Sequence, residues 1–197
     1  PAQFSPIAEY TRLIVPIGTG VLEQACQQLS QWQRTDPLMS VAVNLSVRQV
    51  QAPDILELIK GALGRTGIRP ESLHLERTES LLMHDIDHFD KMLGSLKNLG
   101  VQLSLDDFGT GYSSLSYMSR FPFDSVKIDQ SFIRGLADNR HDTALVAAIL
   151  SMADALGLSV TAEGIEDHSQ LDALKKMRCL RGQGFYLDRP MAPEALS

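Results

Sequence analysis

At 197 residues, with 44% hydrophobic and 21% charged, the chain has room for one ordinary folded domain. A net charge of -6 and a pI near 5.3 give no general attraction for a DNA or RNA polymer or for an acidic membrane, so an anionic ligand requires local cations or metal ions. No run approaches the ~20 apolar residues of a membrane helix, and Pro1-Ala2-Gln3-Phe4 has neither the basic flank nor the apolar core of a signal peptide. With no initiator Met at its start, the sequence is expected to be a fragment. Cys26 and Cys179 fit no CxxC or Cys/His zinc spacing and read as two buried thiols in a reducing cytoplasm.

Residues 1–36 read as helical, with Ile7, Ala8, Leu13, Ile14 and Ile17 followed by the amphipathic set Val21, Leu22, Cys26, Leu29 and Trp32. From residue 40 onward short β-branched or leucine-rich runs alternate with segments of helical period, the pattern of βα units and a parallel sheet. The strands are expected at Ser40 to Asn44, Leu73 to Glu76, Val101 to Asp106, Ser125 to Asp129, Leu158 to Glu163 and Gly184 to Leu187. Helices are expected around Ile55 to Leu63, Phe89 to Leu99, Ala144 to Leu156 and Leu171 to Met177, where apolar residues recur three and four apart. Gly67, Gly100 and Gly157 follow three of them at the position of a left-handed C-cap, so connections are short. No low-complexity tract marks an internal linker, and the expected unit is one domain over residues 1–197.

Spacing chooses between barrel and open sheet. Asn44 to Gln183 spans about 140 residues over five strand-to-strand intervals, or about 28 per unit. That is close to the ~31 per unit of a ~250-residue (β/α)8 barrel. Six units do not close eight strands, so the expected fold is an incomplete (β/α)8 TIM-type barrel that lacks about two N-terminal strands and leaves edge strands exposed.

In such a barrel the chemistry sits at the C-terminal ends of the strands. Asn44 ends the first strand, Glu76 the second, Asp106 and Asp107 the third, Lys127 and Asp129 the fourth, Glu163 with Glu166 the fifth, and Gln183 precedes the last. Any one of these reads equally as a cap or a structural hydrogen bond; six together point to a site. Asn44, Glu76, Asp106 and Asp107 are all oxygen donors, a set suited to magnesium, manganese or calcium rather than zinc. The adjacent acids Asp106 and Asp107 follow an apolar run and precede a glycine-rich turn, so they repel one another unless a cation or proton holds them. His74 shares the face of Glu76 and reads as a packed or hydrogen-bonded histidine. Lys127 lies inside an apolar strand and must meet a carboxylate or a bound anion, with Asp107 its natural partner.

Six segments taken together resemble the EAL-domain family of cyclic di-GMP phosphodiesterases: NLSVRQ at Asn44 to Gln49, ERTES at Glu76 to Ser80, DDFGTGYSSLSYM at Asp106 to Met118, VKIDQSFI at Val126 to Ile133, AEGIE at Ala162 to Glu166 and QGFYLDRPM at Gln183 to Met191. The resemblance implies that Asn44, Glu76 and Asp106 ligate metal, with Asp106 bridging two Mg2+ or Mn2+ ions and Asp107 completing the second. It implies that Lys127 holds the attacking water and that Glu163 is a general base or an outer carboxylate of the site. Glu166 and Asp129 then support the site, Glu79 anchors the Asp-Asp loop, and Gln183 is a substrate-pocket glutamine.

The implied reaction opens cyclic di-GMP to linear pGpG in bacterial second-messenger signalling, in the cytoplasm or tethered to the inner membrane through other domains. The resemblance also implies neighbouring GGDEF, PAS or receiver domains and pairing of two copies through the loop from Ser113 to Arg120. Two departures stand out. The Glu-Ala-Leu segment that names the family, with its own metal-binding glutamate, is absent from this chain, and Arg77 stands where the family usually has Ile, Val or Leu. By strand alternation Arg77 points away from Glu76 towards the helical layer. Two other readings remain: a catalytically silent EAL-like module that binds cyclic di-GMP or a protein partner, and an unrelated metal-dependent barrel enzyme acting on another phosphate ester.

Overall fold

The computed structural model describes residues 5–78, 86–109, 118, 120–136 and 138–196. Its strands are β1 (Val41–Asn44), β2 (Leu73–Thr78), β3 (Gln102–Phe108), β4 (Ser125–Ile128), β5 (Ser159–Ala162) and β6 (Arg181–Gly182). They follow one another in sheet order β1-β2-β3-β4-β5-β6, with the pairs β1·β2, β3·β4, β4·β5 and β5·β6 all parallel. Among the described residues, helices lie between β1 and β2, β2 and β3, β4 and β5, and β5 and β6, as a parallel sheet requires of its crossovers. This is the incomplete (β/α)8 TIM-type arrangement that the sequence spacing implies. The chain divides into two compact units, Pro1–Arg77 with Leu81–Leu103, and Thr78–Ser80 with Ser104–Ser197.

In the first unit, α1 (Ser5–Tyr10) precedes α2 (Ile14–Trp32), which buries Leu22, Cys26 and Leu29 at helical spacing and packs on β1 and on α4 (Ile55–Thr66). The α4 helix buries Ile55, Ile59 and Ala62 and stops at Gly67, whose φ of 66° supplies the left-handed cap while its N–H donates to Leu63 O. Strand β2 reads buried at Leu73, Leu75, Glu76 and Arg77, the mark of a strand covered on both faces. Phe89, Met92, Leu93 and Leu96 of α5 (Ile86–Asn98) are buried three and four apart. Each fully buried leucine stabilises the unit by about 1.5–3 kcal/mol. A short helix that periodicity does not reveal, α3 (Val47–Val50), is set by a capping box: Ser46 Oγ accepts from the Gln49 N–H at 3.2 Å, and Gln49 Oε1 accepts from the Ser46 N–H at 3.1 Å.

In the second unit every residue of β4 is buried. Asp129 caps α6 (Gln130–Arg134) by accepting from the Ser131 N–H at 2.9 Å, and Asn139 caps α7 (Arg140–Ala155). Asp167 and Gln170 form a second capping box at the start of α8 (His168–Lys176). The Ser169 hydroxyl and the Gln170 N–H, donating to the Asp167 carboxylate, hold it below its usual range.

The last strand is not where the sequence placed it. Gly184 to Leu187 forms a turn, with the Leu187 and Asp188 N–H groups both donating to Gly184 O, while the strand is the two-residue β6 just before it. The reason is the approach of Gly184 to β5's continuation: a Cβ there would collide with the backbone N and O of Ile165. The chain therefore turns across Ile165 instead of running on beside it.

Candidate metal and catalytic site

Within the first unit, Asn44 and Glu76 are register partners at the C-terminal ends of β1 and β2, and the Leu45 N–H donates to Glu76 O at 2.9 Å. Parallel pairing in matched register is what sets an amide and a carboxylate side by side at the end of two strands. Asn44 is exposed and Glu76 buried. His74 pairs with Ala42 two residues earlier. Arg77 faces the helical layer as strand alternation requires, its guanidinium 4.9 Å from the centre of the Phe89 ring on α5. It is buried, and its Nε and Nη1 have no hydrogen-bond partner. Burial lowers its pKa to about 10.

The second unit gathers Asp106, Asp107, Lys127, Glu163 and Gln183. The β3·β4 register runs from Leu105 opposite Val126 to Phe108 opposite Ile128, so two residues of β3, Asp106 and Asp107, face the single Lys127 of β4. This is a β-bulge, and it brings two consecutive carboxyls to one place where strict alternation would send them to opposite faces. Its signature is the φ of 54° at Asp107, a left-handed conformation that costs about 1–3 kcal/mol for a residue with a side chain and persists where the surroundings enforce it. Asp106 Oδ1 accepts from the Asp107 N–H at 3.0 Å and steadies the bulge.

Lys127 Nζ lies 2.6 Å from Glu163 Oε1 and 3.3 Å from Asp106 Oδ1. This corrects the expected pairing with Asp107: the bulge turns Asp106 to the ammonium, and Asp107 feels Lys127 as a nearby charge. Glu163 comes one residue beyond β5, where its N–H donates to Ile128 O at 3.0 Å. Gln183 follows β6, its N–H donating to Ala162 O at 2.8 Å, and its Nε2 donates to Glu163 Oε1 at 2.7 Å. That side-chain bond, joining two motifs that sequence reading treated separately, was not anticipated. Glu163 is thus held from two sides.

Carboxylate oxygens of Asp106, Asp107 and Glu163 all lie within 4.8 Å of one another. Three carboxylates against one ammonium leave excess negative charge in a half-buried place. Accordingly the Asp107 carboxyl is raised above its ordinary value, first by burial and then by the charges of Asp106 and Asp129, with Lys127 opposing. An all-oxygen cluster with unbalanced negative charge fits a hard divalent cation. Asp129 therefore has two functions, as a helix cap and as a charge beside Asp107. Glu166 is exposed, and its N–H donates to Gln170 Oε1 at 2.7 Å. Glu79, and residues 113–117 and 119 of the loop expected to pair two copies, lie outside the described residues.

Beside this cluster a cavity of about 420 Å3 is lined by Gln130, Glu166, Gln183, Phe185, Asp188 and Arg189, among others. Arg189 and Phe185 were not singled out from sequence, although the QGFYLDRP segment contains both. Among the described residues no helix is long and apolar enough to cross a membrane.

Comparison with known proteins matches the geometry. The EAL domain family matches residues 1–190. The chain is 43% identical over 197 residues to the bifunctional diguanylate cyclase/cyclic di-GMP phosphodiesterase MucR of Pseudomonas aeruginosa, covering all of this chain and 29% of that protein. It is 41% identical over 194 residues to the signaling protein YkoW of Bacillus subtilis, covering 98% of this chain and 24% of that one. The chain thus spans less than a third of the length of these relatives. Among solved structures, the MucR phosphodiesterase in complex with c-di-GMP superimposes with a TM-score of 0.95 at 43% identity, covering all of this chain and 80% of that one. The EAL domain of Mycobacterium smegmatis DcpA does so with a TM-score of 0.85 at 36% identity, covering 89% of this chain and 80% of that one. The chain belongs to the EAL domain family.

Proposed function

We propose that this chain is the phosphodiesterase module of a longer signalling protein and hydrolyses cyclic di-GMP to linear pGpG. The observation that carries the reading is the three-way contact of Lys127 with Asp106 and Glu163, beside the oxygen cluster of Asp106, Asp107 and Glu163. The 43% identity to a chain solved with c-di-GMP supports the choice of substrate.

By the family resemblance, Asn44 and Glu76 of the first unit and Asp106 and Asp107 of the second would be the ligands of two divalent cations, Mg2+ or Mn2+. The chemistry such ions supply when bound is neutralisation of phosphoryl oxygens and acidification of a water. The remaining work falls to the chain's own groups. Lys127 donates to the attacking water and orients it. Glu163 accepts its proton, with Gln183 and Lys127 fixing the carboxylate so that no reorganisation is needed as charge develops. Water oxygen forms the new bond to phosphorus as the P–O3′ bond breaks, and the departing alkoxide takes up a proton, leaving pGpG. Asp129 and Glu166 support the loops that carry these groups.

The test is incubation of the full-length protein with cyclic di-GMP and Mg2+ or Mn2+, followed by chromatography. Release of pGpG is expected. Binding without turnover overturns the hydrolase reading in favour of a receptor, and neither binding nor turnover removes the substrate as well.

A further inference from the structure

A second cavity in the second unit, of about 580 Å3, lies where α7, the segment after α8 and the starts of β5 and β6 meet. It falls within the ~300–1,000 Å3 range of small-molecule sites, and none of its lining residues belongs to the metal and catalytic cluster. Leu150, Leu158 and Val160 give it apolar walls. Arg178 and Arg181 flank Leu180 in sequence, and Leu180 is 92% exposed. Asp154 is the one acid among the lining residues, so the cavity is net positive on a chain of net charge -6.

Both arginines are placed by the backbone. Other helices give way to a glycine in left-handed conformation, at Gly67, Gly100 and Gly157, but α8 gives way to Arg178 with a φ of 62°. A guanidinium thus stands at the cavity where the backbone favours glycine. Arg181 opens β6, and its Nη1 donates to Ser159 Oγ at 3.3 Å, joining the starts of β5 and β6. Glu163 and Gln183 follow the other ends of the same two strands, ~13 Å from Ser159 at the rise of a parallel strand.

The geometry points to a second ligand site, for a small amphipathic anion: a phosphate or carboxylate on Arg178 and Arg181, with its apolar body against Leu150, Leu158 and Val160. Guanidinium forks meet phosphate and carboxylate oxygens with charge-assisted bonds, stronger than those to neutral acceptors. An apolar body of the ligand gains by leaving water for the leucine and valine walls. An inorganic anion uses only the first of these contributions and an alcohol only the second.

The test is titration of the full-length protein with octyl phosphate, and with inorganic phosphate and octanol as the two halves of that probe. By calorimetry octyl phosphate should bind about ten-fold more tightly than either half, and saturating cyclic di-GMP should not displace it. It should also protect Cys179, which lines the same cavity, from N-ethylmaleimide, read by mass spectrometry of the peptide that carries it. Arg178→Gly should weaken octyl phosphate about five-fold while raising the thermal midpoint, because glycine fits the left-handed backbone; an arginine with only a structural role would leave the affinity unmoved. Arg181→Gln should weaken it by a similar factor. Binding of octyl phosphate no tighter than that of octanol or phosphate, displacement by cyclic di-GMP, or affinity and Cys179 protection that survive in the double variant overturns the inference. So does sedimentation with phosphatidylglycerol vesicles without binding of octyl phosphate, which would make the arginines a membrane contact. None of these readouts uses turnover, so either result leaves the hydrolase reading intact.

Discussion

Lys127 Nζ stands 2.6 Å from Glu163 Oε1, a contact made from the middle of one buried strand to the residue just past the end of the next. Side chains of both residues are only 9% and 14% exposed, so the pair lies largely out of water. Charges so placed are valuable for positioning and costly to orphan.

Removing the ammonium should therefore separate catalysis from metal binding. Lys127→Ala leaves the oxygen cluster in place, so cation binding measured by calorimetry should persist, while turnover of cyclic di-GMP falls by ~10²-fold or more. Turnover close to that of the unsubstituted protein would show that Lys127 serves only to neutralise its neighbours.

Asp106→Asn should act differently. It deletes the charge that faces both Lys127 and the oxygen cluster, so metal binding should be lost together with activity, which should fall by orders of magnitude. Titration with Mn2+ should show whether the two losses coincide; retention of metal with loss of turnover would reassign Asp106.

Arg77→Leu is expected to stabilise the protein. Nε and Nη1 of Arg77 are buried without hydrogen-bond partners, and their desolvation is offset only by the Phe89 face. Replacing a buried, incompletely satisfied charge by a shorter apolar side chain that needs no hydrogen-bond partners should raise stability by about 1–3 kcal/mol. Urea unfolding measures it, and an unchanged or lower midpoint would mean the guanidinium is better accommodated than its geometry indicates.

Alkaline pH should weaken the fold through its thiols. Burial pushes the Cys26 thiol up to about 11 from 9.0, and burial raises Cys179 as well. Between about pH 9 and 11 the unfolded chain releases the Cys26 proton and the folded chain keeps it, so stability falls as pH rises through that window; below pH 9 both states hold the proton and the dependence vanishes. Cys26→Ala should lower stability at pH 8 by leaving a cavity, yet show a shallower decline from pH 9 to 10.5. An identical slope would mean that another group titrates.

Gly184→Ala should be severely destabilising to the end of the chain, because the added Cβ meets the backbone N and O of Ile165 rather than a side chain that can move. Limited proteolysis after β5 should accelerate, and with Gln183 displaced from Glu163 the turnover should fall as well. Normal proteolysis and full activity would show that the turn relaxes without loss.

The parallel βα order, the long helices and the identity of the strand-end acids were legible in sequence because they depend on periodicity and spacing, which are local. Val41–Asn44, Leu73–Thr78 and Ser125–Ile128 fall where the apolar runs place them, and Arg77 faces the helices because alternation leaves it no other side. Three things were decided only by tertiary structure. The bulge at Asp106 and Asp107 depends on how β3 registers against β4, and register is a relation between segments. That register gives Lys127 to Asp106 and Glu163 instead of Asp107. The segment Gly184 to Leu187 has strand composition yet turns, because Ile165 occupies the space beside it. Sequence named the charged groups at the strand ends; which of them touch is a matter of distances across the sheet, where Coulomb attraction, burial and steric exclusion act on residues far apart in the chain.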